Sequence, residues 1–178
     1  MNNFLRKINL VEDYNFELPT SKTDFISKFR RNVENSNLGF DFFEGFEALS
    51  SSNYEYKGYI NEREFEIKRK RKLFEPNQSF ATAKGTYKEV NEKLQLAIEI
   101  NAFSNIMYFF LGIVALFYLF FVSVILFGDN EIPSFVILFL FIHAAFMIGI
   151  PYFVMRRSIN KIRCNLERDF YYWVTKNK

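Results

Sequence analysis

The chain has 178 residues, 49% of them hydrophobic, and a formal net charge of +3. A single cysteine, Cys164, excludes an internal disulfide framework, and with one histidine it cannot make the usual zinc site. Bases and acids balance over the first hundred residues, whereas nucleic-acid binders show a broad basic footprint; nucleic acid is not an expected partner, and no cofactor is expected.

The opening stretch Met1–Leu10 carries Arg6 and Lys7 but no apolar core, so it does not read as a signal peptide. Tyr14–Leu18 predicts an extended segment with Phe16 and Leu18 on one face, ended by Pro19. Ser21 then caps a helix whose first turn holds Asp24. Phe25, Phe29 and Val33, four apart, make its apolar stripe, and the Asn- and Ser-rich stretch 35–39 breaks it. Phe42, Phe43 and Phe46 predict a short helix within 40–49, with a strand as the alternative, and 50–53 is a loop. Four strands follow, over 54–60, 64–70, 79–87 and 94–100. The second puts Phe65 and Ile67 on one face and Glu64, Glu66 and Lys68 on the other. The last alternates most cleanly, with Leu94, Leu96, Ile98 and Ile100. Short links favour an antiparallel meander.

Two apolar segments come next, about 106–127 and 132–155, free of Lys and Arg throughout and of Asp and Glu inside. Each exceeds the roughly 20 residues that cross a hydrocarbon layer. Gly128-Asp129-Asn130-Glu131 links them as an antiparallel hairpin, with Pro133 in the first turn of the second helix. Pro151 is expected to kink that helix. The tail after Met155 holds seven bases against two acids, while the link holds none, which puts tail and N-terminal domain in the cytoplasm. Ile159, Ile162, Leu166, Phe170 and Trp173 give the tail one apolar helical face. It either lies in the headgroups or packs on the soluble domain.

The expected fold is therefore α+β: an N-terminal strand and helix packed on a four-stranded antiparallel meander, then a two-helix transmembrane hairpin and a C-terminal amphipathic helix. Residues 1–101 form the cytoplasmic domain, 102–155 the hairpin and 156–178 the basic tail helix.

Three patterns are candidate sites. Lys68, Arg69, Lys70, Arg71 and Lys72, followed by Leu73 and Phe74, end a strand that runs parallel to the one entering the first span. This run either contacts anionic lipid, at roughly 1 kcal/mol per base, or is a solvated strand end. His143 lies mid-span, and reflection about the link sets it near Tyr118, a candidate hydrogen-bond partner. Ala145 and Gly149 form a small-xxx-small pair that permits close helix packing, within the hairpin or in an oligomer. No catalytic or metal-ligating set is visible: there is no Gly-rich phosphate loop and no nucleophile elbow.

Tyr56-Lys57-Gly58-Tyr59-Ile60 followed by Phe65-Glu66-Ile67-Lys68-Arg69 resembles a group of small bacterial two-span membrane proteins with the pattern G-x-I, four residues, F-x-I-x-R. A glycine strand like that around Gly85, and a strand entering a hairpin, complete the likeness over about 54–127. Where that group shows Tyr-Arg-Asn-Ser-Phe, this chain has Lys72-Leu73-Phe74-Glu75-Pro76-Asn77-Gln78-Ser79-Phe80. The resemblance implies a bacterial inner membrane and no catalytic residue. The expected function is a membrane-anchored interaction or scaffold protein, with the bilayer, its anionic headgroups, a second copy or another membrane protein as partners. The alternatives are an oligomeric channel or transporter accessory subunit and, third, an enzyme acting on lipid headgroups.

Overall fold

A computed structural model describes residues 2–36, 38, 53–70, 80–128 and 133–176. In chain order the elements are α1 (Asn2–Lys7), β1 (Val11–Leu18), α2 (Lys22–Asn32), β2 (Val33–Asn35), β3 (Tyr56–Ile60), β4 (Glu64–Arg69), β5 (Thr82–Val90), β6 (Lys93–Asn101), α3 (Asn105–Phe127) and α4 (Ser134–Thr175). The chain is α+β and forms two units, Met1–Phe103 with Met155–Lys178, and Ser104–Val154. Helix α4 contributes residues to both.

Period-two alternation builds the sheet of the first unit. Leu94, Leu96, Ile98 and Ile100 of β6 are all buried, with exposed residues between most of them. The sheet differs from the expected four-stranded meander. Strands β3 to β6 do run as an antiparallel meander, but they are the centre of a six-stranded mixed sheet in the order β1-β6-β5-β4-β3-β2. Strand β1 pairs antiparallel with β6, Tyr14 opposite Ile98, so the N-terminal strand lies in the sheet rather than on it. At the other edge Val33 leaves α2 in an extended conformation, and β2 pairs parallel with β3, Val33 opposite Tyr56. β5 starts at Thr82, three residues later than expected. Its inner positions are Ala83, Gly85 and Tyr87, and a Cβ at Gly85 would lie 2.4 Å from the Phe65 ring. At Gly58 a Cβ would lie 2.0 Å from the Glu66 carbonyl oxygen, so only glycine admits this approach of β3 to β4.

Helix α2 starts where its cap dictates. The Ser21 hydroxyl accepts from the Asp24 N–H at 3.3 Å. Phe25 and Phe29 then face the sheet, and the C-terminal part of α4 packs beside them. Phe170 meets Phe25, Phe65 and Phe29 at centroid distances of 5.4, 5.7 and 6.2 Å. Trp173 stands edge-on to Phe29 and Tyr56. Ile159, Ile162 and Leu166 continue this buried face. Of the two placements open to the tail helix, the packed one is observed. Its apolar face completes a core that α2 alone leaves open on the sheet.

In the second unit, Met107–Phe127 and the apolar part of α4 are each long and apolar enough to cross a membrane. Helix α4 continues unbroken through Pro151. Among the described residues of α3, Val114 alone is buried; Leu116, Leu119, Phe120 and Leu126 are exposed, as are Phe135, Leu138, Phe141 and Phe146 of α4. The segment 40–49, residues 71–74 and most of the link after Gly128 lie outside the described residues.

Candidate functional site

The described part of the basic run, residues 68–70, is not laid out along the surface. Lys68 and Lys70 are only 5% and 8% exposed. Strand alternation sends Lys68 to the same face as Glu66, where both are buried, and Lys57 stands opposite Lys68 in the ladder. The Lys70 ammonium pairs with the Glu34 carboxylate, while its N–H donates to the Glu55 carbonyl at 2.9 Å. Arg69 is half-buried. Arg71, Lys72, Leu73 and Phe74 lie outside the described residues. The described part of the run therefore ties β4 to β2 and to residue 55, at the end of the sheet where β6 finishes.

That end gathers several segments. Asn101 is opposite both Val11 and Thr82, and Lys68 is opposite Thr82. The Ala102 N–H donates to the Leu10 carbonyl at 3.1 Å, which holds the turn after α1 against the end of β6. Arg6 fixes α1 further, reaching Asp13 of β1 at 3.0 Å and Glu99 of β6 at 2.6 Å. On the tail side, the Phe80 N–H donates to the Ser158 hydroxyl at 3.2 Å.

Sequence reasoning missed the polar groups that fasten α4 to the sheet. The Tyr56 hydroxyl donates to Asp169 at 2.6 Å, and Arg168 holds the other oxygen of that carboxylate at 2.9 Å. The Tyr14 hydroxyl donates to Glu167 at 2.5 Å, while Arg163 reaches Glu12 at 2.7 Å and lies over the Tyr14 ring. The Lys28 ammonium donates to the Val174 carbonyl at 3.1 Å and pairs with Asp24 at 2.8 Å. No local pattern marks the pairs Tyr56–Asp169, Tyr14–Glu167, Arg163–Glu12 and Lys28–Val174, each more than 100 residues apart. The signal available was the polar flank beside the Phe170 stripe.

Burial and the Asp169 carboxylate push the Tyr56 hydroxyl well above the usual tyrosine range. Folding thus favours neutral Tyr56. Its contribution is intact below about pH 10, where unfolded tyrosine is also neutral, and is lost as pH rises beyond that. We expect the urea midpoint to fall between about pH 8 and about pH 11, and Tyr56→Phe to flatten that slope. Fluorescence of Trp173, the single tryptophan, 5.9 Å from the Tyr56 ring, reports it directly. An unchanged slope in Tyr56→Phe would assign the alkaline loss to other groups.

In the second unit, Tyr118 Oη and His143 Nδ1 lie 2.6 Å apart and share a hydrogen bond. Phe139 stacks on the imidazole and Phe117 stands 5.9 Å from it. The pair is a polar link between two apolar helices. The structure does not bring Ala145 and Gly149 against α3: Ala145 is exposed, and a Cβ at Gly149 would meet nothing within 4 Å. Among the described residues no three His, Cys, Asp or Glu side chains gather to hold a metal ion. Cys164 is exposed.

These features define an α+β chain carrying two helices of membrane-crossing length, with the chain's C-terminal helix built into its sheet domain. Comparison with protein-family models, with curated proteins and with solved structures finds no match.

Proposed function

We propose that the protein is a membrane-anchored interaction or scaffold protein, with α3 and residues 134–154 of α4 spanning a bacterial inner membrane and both termini in the cytoplasm. The observation that carries this reading is the apolar surface of those two helices. Side chains such as Leu116, Leu119, Phe120, Phe135 and Phe141 are exposed along their whole length. A soluble core helix of this length would be buried, and water does not tolerate an apolar patch of this extent. The basic tail and the base-free link supply the orientation. The likeness of 54–127 to bacterial two-span proteins supports the same compartment. The interaction role rests on a sheet domain held by structural contacts, in which Arg6–Glu99, Lys70–Glu34 and Arg163–Glu12 pair across its elements.

The test has two parts. Alkaline carbonate should leave the chain in the membrane, and protease should digest the sheet domain in inverted vesicles but not in intact cells. Cross-linking in native membranes, followed by mild solubilisation, should then capture a stable partner or a second copy. Release by carbonate, or digestion from outside, removes the anchored topology. A monomer without partners removes the scaffold role.

A further inference from the structure

We infer that α1 is an interfacial foot, by which the sheet domain rests on anionic phospholipid headgroups. The inference rests on the reading of α3 and α4 as spans, and it assigns the lipid contact to residues other than the buried Lys68 and Lys70.

Three observations converge on α1. First, it is fixed in place: Arg6 is held by Asp13 and Glu99, Leu5 and Leu10 are buried, and the Leu10 carbonyl accepts from the Ala102 N–H. Secondly, that fixation leaves Phe4 64% exposed, with Lys7 exposed one turn further on. A lone exposed phenylalanine is ordinary on a soluble surface, but an exposed aromatic residue with an exposed lysine three positions on is the chemistry of the headgroup layer. Thirdly, Ala102, whose N–H bonds the Leu10 carbonyl just after α1, lies two residues before Ser104, the cap of α3. The same end of the sheet receives α4, where the exposed Arg157 immediately precedes Ser158 and its bond to Phe80. A phosphate-rich surface matches these cations. Because the domain is already tethered, each contact needs to orient it and not to recruit it.

The experiment uses the full chain with Asn3→Cys and Cys164→Ser, labelled at position 3 with an environment-sensitive fluorophore. It is reconstituted in phosphatidylcholine vesicles with and without phosphatidylglycerol. The expected result is a blue-shifted emission that brominated lipid quenches, stronger with phosphatidylglycerol and lost in Phe4→Glu/Lys7→Glu. Arg157→Glu should weaken it, and Lys88→Glu, at the opposite end of β5, should leave it unchanged. Water-like emission from a chain that still resists carbonate would overturn the foot alone. So would equal loss in Lys88→Glu. Release by carbonate would overturn the spanning reading and the foot with it.

Discussion

Phe170→Ala is expected to destabilise the sheet domain by about 3–5 kcal/mol. The side chain is 0% exposed and touches rings from β1, α2 and β4. Truncation removes its transfer free energy and leaves a void that the neighbours cannot all close. Phe25 and Phe29 are fixed by α2, and Phe65 is wedged over Gly85. Small domains hold only about 5–15 kcal/mol in total, so the variant should sit near the edge of unfolding. Urea titration of the detergent-solubilised chain, followed by Trp173 fluorescence, measures it. Tyr171→Ala, on the exposed side of the same helix, should change stability by no more than about 0.5 kcal/mol. A loss below about 1 kcal/mol at Phe170 would mean that α4 does not close this core.

Phe141→Arg should have an effect of similar size on a different equilibrium. Phe141 is 72% exposed, near the middle of the apolar part of α4. In hydrocarbon, an arginine at such a position costs about 2.5–3.5 kcal/mol of insertion free energy. The expected result is a drop in the carbonate-resistant fraction, with Arg placed at Phe135, near the end of the segment, costing less because it can reach the headgroups. In water the same change would replace an exposed phenylalanine by a charge and raise solubility. The two solvents thus predict opposite signs. Better recovery in the soluble fraction would refute the bilayer as the medium around α4.

The parts of the fold that could be read beforehand are those whose cause is local. Ser21 caps α2 because its own hydroxyl reaches three residues ahead. Strand β6 alternates because one face is core along its length. The misreadings have causes elsewhere in the chain. Strand β1 begins at Val11 and not at Tyr14, and its added acids Glu12 and Asp13 are neutralised across the fold by Arg163 and Arg6. Val33 continued the helical stripe in sequence, yet it pairs with Tyr56, a partner no local pattern announces. The glycine in β5 weakened that strand's signal, and the reason is the Phe65 ring lying over it. Helix α1 is six residues long, too short for a periodic signature.

The candidate sites divide the same way. Tyr118 and His143 could be paired by folding the sequence about its link, because a hairpin sets depth by counting. The surroundings of Lys68 and Lys70 could not be inferred, because a basic run carries no mark of what covers it. The fastening of Tyr56 to Asp169 and Tyr14 to Glu167 depends on the tail returning to the sheet, which periodicity shows as an apolar face without an address.

The return of residues 155–175 to the sheet sets a timetable for biogenesis. The ring of Phe170 that closes over Phe25 and Phe65 leaves the ribosome after both apolar helices have been made. A nascent domain lacking it exposes a half-built aromatic cluster throughout elongation. Completion of this core must therefore wait for a contact spanning most of the chain, which slows folding and invites chaperone binding. Stop codons introduced before Phe170 should yield a polypeptide that is degraded, since the aromatic core of its sheet domain is left open.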